Sequence, residues 1–458
     1  MKRSLQSAKL DYLSDTERYF LVVREMAKPV WLDSGNSSAD CPQRHIIAAS
    51  PSASVVCYQG MTYWREGEEL GAEKLSQPLL LAEKLLGGER PAAEKGGMFC
   101  GGWIGYLSYD LARYWMPLEV GDSNIDVPEM VLGRYDWAVV VDDSAGTAEL
   151  VGFMDEQAFS EIRASFEAAL AQQSTISSTQ PKAHSLSFVT EKNQYLDALD
   201  SVFDYIREGD CYQVNYTQRL DALTDDDAWD IYLAMRANNP APYGAYMDFG
   251  DFQILSSSPE KFLSLKNGVV ETKPIKGTRP RYADPAMDAA AMANLSASEK
   301  DRAENLMIVD LLRNDLGKVC EPGSISVPTI FDIESFATVH HLVSTVRGRL
   351  RKDAGVVELL EACFPGGSIT GAPKLRAMEI IDELEPVRRD IYCGSIIRWG
   401  FDGSLDSSIS IRTLLKKGSD LHYWAGGGIV KDSNAEDEYQ ESLAKAAAFL
   451  DTLKLRLD

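Results

Sequence analysis

The sequence predicts an α+β protein: large antiparallel β-sheets packed as a sandwich, with helices on the outside and two lobes forming one compact unit. Three observations carry this. Residues before about 170 hold short β-type runs, at 137–141 and 148–153. Residues after about 185 hold longer patterns of helical period, at 193–208, 228–237 and 299–312, alternating with strand-like runs at 253–257 and 407–415. Between them, the Ser/Thr/Gln/Pro-rich stretch 171–182 cannot bury much apolar surface and reads as an exposed linker. The expected division is a β-rich lobe over 1–170, a linker over 171–185 and a catalytic region over 186–458.

Bulk properties narrow the class. The 458 residues carry 45% hydrophobic and 25% charged residues, ordinary for a soluble globular chain. A formal net charge of −23 argues against nucleic acid or an anionic membrane as partner. It also means that an anionic substrate would need positive potential concentrated locally, by metal ions, helix N-termini or a few Arg/Lys residues. The 7 cysteines are scattered without a C-x-x-C pair, which reads as reduced thiols and a cytoplasmic location. No apolar run approaches the ~20 residues that span a bilayer.

Taken in order, six local patterns carry chemistry. The 253–257 strand ends at Ser258-Pro259-Glu260, a turn position suited to a general acid or base. An apolar run then ends in the turn-forming stretch Thr272-Lys273-Pro274-Ile275-Lys276-Gly277-Thr278, which aims one amine, that of Lys276, at a fixed place. Ser298-x-x-Asp301 reads as a capping box and places Glu304 one turn into the next helix. In Val339-His340-His341, adjacent strand residues face opposite ways, so one histidine at most serves a given site. The glycine-rich loop 366–371 opens a helix running to about 384, and free N–H groups at such a start bind carboxylate or phosphate. Near the end, Gly426-Gly427-Gly428 leads into a helix from about 435, with Glu438 and Glu441 on one face. Carboxylates that share a site with an anion need a cation between them, and Mg²⁺ suits oxygen-only ligands.

The run Asp301-Arg302-Ala303-Glu304-Asn305-Leu306-Met307-Ile308-Val309-Asp310-Leu311 is joined by Arg313-Asn314-Asp315, His341-Leu342-Val343-Ser344, the 366–374 loop, Ile411-Arg412-Thr413 and Ala425-Gly426-Gly427-Gly428-Ile429-Val430. In these motifs and their order the chain resembles the chorismate-utilising enzymes, over essentially its whole length. The resemblance implies Mg²⁺ as cofactor, with Glu304 and Glu441 as ligands and Glu438 beside them. It implies backbone contacts from Gly371 and Ala372 to the ring carboxylate, and Arg412 with Tyr392 on the enolpyruvyl carboxylate. His341 then lies by the ring, and Glu260 is the acid that assists loss of the C4 hydroxyl. Gln213, Thr278, Ser368, Lys374, Gly427 and Gly428 are placed at the substrate as well.

Two positions discriminate within the family. Its anthranilate-forming members carry alanine where Lys276 stands, and lysine resembles the members that aminate C4. If Lys276 attacks C2 and expels the C4 hydroxyl, ammonia can enter at C4 and expel lysine, so two allylic displacements carry nitrogen to C4. That role needs a neutral amine. With an unperturbed pKa near 10.4, only about 0.1% is neutral at pH 7, a handicap of roughly 4–5 kcal/mol. At the second position, members that add water use a lysine base where this chain has Gln213, which disfavours water chemistry. The expected product is therefore 4-amino-4-deoxychorismate, for 4-aminobenzoate and folate synthesis. The alternatives are amination at C2 toward anthranilate, or a non-catalytic subunit that binds chorismate or tryptophan. Ammonia is expected from a separate glutamine amidotransferase subunit, since no cysteine here sits in a glycine-rich elbow. The segment Leu32-Asp33-Ser34-Gly35, with Pro242, resembles the family's tryptophan pocket, with Asp33 where anthranilate-forming members have glutamate.

Overall fold

The longest strands of the fold are Gln213–Leu223, Val339–Arg349 and Asp420–Val430. The first and third pair antiparallel along their full length, from Gln213 opposite Val430 to Leu223 opposite Asp420. A computed structural model describes residues 3–35, 43–74, 77–87, 99–118, 124–173, 180–336 and 338–455. It shows two 12-stranded sheets, and every pairing within them is antiparallel. Each sheet draws strands from both sides of the 171–185 stretch. The first runs from the pair Ser4–Leu10 and Thr147–Met154 to Asp420–Val430, Gln213–Leu223 and Ser185–Phe188. The second runs from Ile275–Pro280 and Val339–Arg349 to the N-terminal strands Ala53–Tyr58, Met61–Glu66 and Glu69–Glu73.

Period-two patterning decides which side chains enter which core. Val30, Ile254 and Leu415 point between the sheets with Trp103, Phe262, Ile397 and Trp424. Their neighbours Trp31, Leu255 and Leu414 point the other way, under the helices Glu156–Gln172, Ala228–Asn238 and Ala435–Thr452. A third cluster seats Lys192–Glu208 and Lys374–Leu384 on the Gln213–Leu223 strand through Tyr195, Leu199, Val214, Ala377 and Ile381. No helix among the described residues is long and apolar enough to cross a membrane.

The expected elements appear with three differences. The helix expected over 299–312 is Glu299–Gly317, because Leu316 continues the buried stripe of Ile308, Val309 and Leu312. The helix Glu156–Gln172 enters the expected linker by two residues, and 174–179 lie outside the described residues. The third difference shapes the site. The strand expected over 407–415 is two strands in different sheets: Leu405–Ile409 belongs to the second, Thr413–Lys417 to the first. The chain crosses between them with Arg412 at φ +50°, the left-handed region that alternation of hydrophobicity does not reveal. Beside it a second crossing joins Gln253–Ser258 of the first sheet to Lys261–Lys266 of the second, through Pro259 and Glu260.

A buried ionic group ties the N-terminal strands to the helix Ala228–Asn238. His45 is fully buried, with Nδ1 3.0 Å from Asp33 Oδ1 and Nε2 3.0 Å from Asp143 Oδ2. Arg236 Nε donates to the other oxygen of Asp33 at 2.5 Å. Burial pushes the His45 pKa down, but the two carboxylates outweigh it and hold it up at about 9. Its stabilisation is thus fully present below the unfolded value near 6.5 and is lost as pH rises through about 9. His45→Gln is expected to cost about 3 kcal/mol at pH 6, because it strands a buried carboxylate. Denaturant unfolding at pH 6 and pH 10 checks this: the difference between variant and parent should shrink at the higher pH.

Candidate active site

The two crossings are hydrogen-bonded to each other. Ile409 N donates to Glu260 O at 3.0 Å, Ser257 N to Arg412 O at 3.0 Å, and Ser258 Oγ to Ile409 O at 2.6 Å. The result fixes an acidic and a basic residue side by side at the seam of the sandwich. The Glu260 carboxyl is buried and accepts a 2.7 Å bond from Ser368 Oγ, in the glycine loop. Desolvation raises its pKa to about 7, against the lowering pull of the Ser368 hydroxyl and the Lys276 amine. It can therefore exchange a proton near neutrality.

Lys276 lies on the edge strand Ile275–Pro280, opposite Leu342. A bulge follows at Gly277, whose φ of +79° and contact with Asp301 and Leu295 leave no room for a side chain. The bulge lets Thr278 come opposite His341, and Thr278 Oγ1 meets His341 Nδ1 at 2.9 Å. Lys276 Nζ donates to Ser368 O at 3.4 Å, a long bond. Its pKa is lowered: desolvation outweighs the opposing pull of Glu304, Glu260 and Glu441, with Lys445 adding to the lowering. Gln213 is fully buried with neither amide atom hydrogen-bonded. A Cβ on Gly428 would fall 2.0 Å from Gln213 Nε2 and 3.5 Å from Lys276 Nζ, so this glycine is what lets both side chains reach the same space.

His341 is buried, and burial together with the Arg412 charge pushes its pKa down to about 3. The imidazole is neutral at any ordinary pH. Its neighbour His340 faces the other way and is held by Ser335 and Asp288, the structural role that strand alternation leaves it. Among the described residues no carboxylate lies within ion-pair distance of Arg412, which leaves its guanidinium available to an anion. Tyr392 is buried and stacked on Trp424, ring centres 6.1 Å apart. Gly371 and Ala372 pair with Val214 and Gln213, and buried Arg389 clamps their loop by donating to Ile369 O at 2.8 Å and to Asn215 O.

Three glutamates flank this space. Glu438 and Glu441 extend from the helix Ala435–Thr452, and a Cβ on Gly427 would sit 3.2 Å and 3.9 Å from their carboxylates. Glu304 comes from the helix Glu299–Gly317, its pKa raised by burial against the pull of Lys276 and Lys300. Glu441 is held below the usual carboxylate range, chiefly by Lys445 at 2.8 Å. Glu438 accepts from Ser433 Oγ at 2.6 Å and faces Lys300 Nζ at 3.5 Å. Among the described residues no three such side chains stand close enough to grip a metal ion as they are arranged. The donor set nonetheless fits a hard dication: all oxygen, in charge excess, and with the Lys300 ammonium already standing in as a cation that feels all three.

Lys374 has fixed partners: its buried ammonium donates to Cys363 O at 2.6 Å and pairs with Asp315 at 2.7 Å, which braces the glycine loop. A buried ammonium takes whatever acceptors surround it, and motif position alone does not reveal them. Lys300 and Lys445 were missed. Their signal was present, since each stands four residues from a glutamate, Lys300 before Glu304 and Lys445 after Glu441. Leu32, Ser34 and Pro242 do line one cavity, of about 360 Å³, which reaches Ile275 and Val343 on the strands behind Lys276. The Asp33 carboxylate at its wall is already filled by Gly35 N, Tyr232, His45 and Arg236.

Residues 29–451 match the family described as chorismate binding enzyme. The chain is 42% identical over 441 residues to aminodeoxychorismate synthase component 1 of Klebsiella aerogenes, covering 96% of each protein. It is 40% identical to the protein of that name in Escherichia coli (strain K12), again over 96% of each. Among solved structures, anthranilate synthase component I from Streptococcus pneumoniae TIGR4 superposes with a TM-score of 0.79 at 29% identity, over 89% of this chain and 92% of that one.

Lys374→Met removes one of the two ammonium partners of buried Asp315, leaving Lys318 at 2.9 Å, and is expected to lower stability by about 1–2 kcal/mol. Denaturant unfolding of the purified variant checks this.

Proposed function

Because the chain belongs to the chorismate-binding enzyme family, we propose that it aminates chorismate at C4 with ammonia, giving 4-amino-4-deoxychorismate, with Lys276 as the nucleophile. The observation that carries this is the pairing of a lysine amine whose pKa burial lowers with a carboxyl poised at about 7 beside it. Each group is thereby brought toward the protonation state its task needs: a neutral amine to attack, and a protonated acid to release a hydroxyl.

In this reading Lys276 Nζ forms a bond to C2 as the ring double bonds shift and the C4–O bond breaks. Glu260 gives its proton to the departing oxygen, which leaves as water. Glu260 then takes a proton from the bound lysine nitrogen. Ammonia attacks C4, the double bonds shift back, the C2–N bond breaks, and the proton returns to Lys276. Arg412, with Tyr392, would grip the enolpyruvyl carboxylate. The neutral His341, fixed by Thr278, would border the ring without adding charge. Gln213, unable to act as a base, keeps water from competing for C2. Glu304, Glu438 and Glu441 would hold Mg²⁺, which supplies charge neutralisation for the ring carboxylate. The relatives' designation as a component 1 supports a second component, a glutamine amidotransferase that delivers ammonia. The cavity at Leu32, Ser34 and Pro242 is proposed as a separate pocket for tryptophan.

Two outcomes test this reading. Purified protein given chorismate, Mg²⁺ and ammonium should yield a product that aminodeoxychorismate lyase converts to 4-aminobenzoate, and Lys276→Ala should lose it; anthranilate from the parent would overturn the C4 assignment. Glu260 must be protonated when C4–O breaks, so kcat/KM should fall as pH rises through about 7. Glu260→Gln should lower kcat by about 10²–10⁴-fold and remove that alkaline limb.

A further inference from the structure

The two lysines set among the glutamates are held very differently. Lys445 Nζ is anchored twice, to Glu441 at 2.8 Å and to Gly426 O at 2.8 Å. Lys300 reaches in from the first turn of the helix Glu299–Gly317 and makes one long contact, 3.5 Å to Glu438. Its side chain is 53% exposed while that of Glu438 is 5% exposed, so the cation has a path to solvent and the carboxylate has none. Glu438, Glu304 and Glu441 all act on the Lys300 charge.

We propose that Lys300 is a displaceable stand-in cation, which neutralises the glutamate cluster until a divalent ion enters and then swings out to water. The inference rests on the metal reading above and adds the residue that must yield. Charge balance favours it. Within the cluster itself, the three carboxylates of Glu304, Glu438 and Glu441 face the two ammonium groups of Lys300 and Lys445, leaving one negative charge. Exchanging Lys300 for a dication closes that balance, while Lys445 stays tied to its carbonyl. The exchange is cheap because a half-exposed ion pair is weak and a lysine head rehydrates readily on its four-carbon stem. The same motion opens the approach to Glu438, whose hydrogen-bond and ion-pair partners among the described residues are Ser433 and Lys300.

Calorimetric titration of Mg²⁺ into the metal-free protein, without chorismate, tests this on the parent, Lys300→Met and Lys300→Arg. Lys300→Met should bind Mg²⁺ roughly two- to five-fold more tightly than the parent, with Lys300→Arg close to the parent. In thermal unfolding, metal-free Lys300→Met should melt below the parent, and saturating Mg²⁺ should close the gap. Equal or weaker Mg²⁺ binding by Lys300→Met would overturn the stand-in role while leaving the metal reading in place. Absence of Mg²⁺ binding by all three proteins would overturn both.

Discussion

Two neighbouring segments leave the same sheet for the same partner sheet at one place, and the bonds between these crossings are what the rest of the site depends on. Ser258 and Glu260 on one crossing meet Ile409 and Arg412 on the other. Directly behind them, Ser256 Oγ meets Thr413 Oγ1 at 2.8 Å. Strands that switch sheets form corners in a sandwich, and a corner exposes backbone groups that a continuous ladder would satisfy. Small hydroxyl residues supply those bonds here without occupying volume, which explains the density of buried Ser and Thr along 256–258 and 407–413. The corner makes a site because it brings Glu260 and Arg412 to fixed positions facing Lys276 and His341, across from the edge of the second sheet.

The electrostatics of the site follow from that enclosure. The protein is strongly acidic, and even its site holds four carboxylates, yet the Lys276 pKa falls. Glu304, Glu260 and Glu441 all favour the charged amine, and desolvation overrides them. The same enclosure drives Glu260 up and His341 down, so one physical cause shifts all three groups toward their uncharged forms. Positive potential survives at Arg412, which no carboxylate among the described residues pairs with.

Much of this was legible in the sequence, because alternation and helical period survive wherever one face is buried. The helices Lys192–Glu208 and Ala228–Asn238 begin and end within a residue of the periodicity that predicted them. Lys276, Glu260, His341 and the three glutamates stood out through turn punctuation, capping and long motifs, and the structure gathers them around one space. The break at 410–412 was illegible because Ile409, Ile411, Thr413 and Leu415 alternate in step straight through it, so a change of sheet leaves the pattern unbroken. The helix Pro285–Ala297 was illegible for the opposite reason: among its residues only Leu295 is buried, so its Ala- and Met-rich sequence has no stripe to read. The ion-pair partner of Lys374 was illegible because Asp315 lies far from it along the chain and near only in space.

The four lysines near the site show why residue type and motif position under-determine chemistry. Lys374 and Lys445 each have two acceptors below 3 Å, one of them a carboxylate, and such an ammonium is held in place. Lys300 has one long contact and an open path to water, so it remains charged but free to move. Lys276 is part-buried with one long contact, to a neutral carbonyl, and desolvation with so little compensation lowers its pKa. Lys276 is thus set apart by what its neighbours withhold: Ser368 offers it a carbonyl at 3.4 Å while spending its hydroxyl on Glu260. One serine thereby keeps the acid and the amine from collapsing into an ion pair that would disable both.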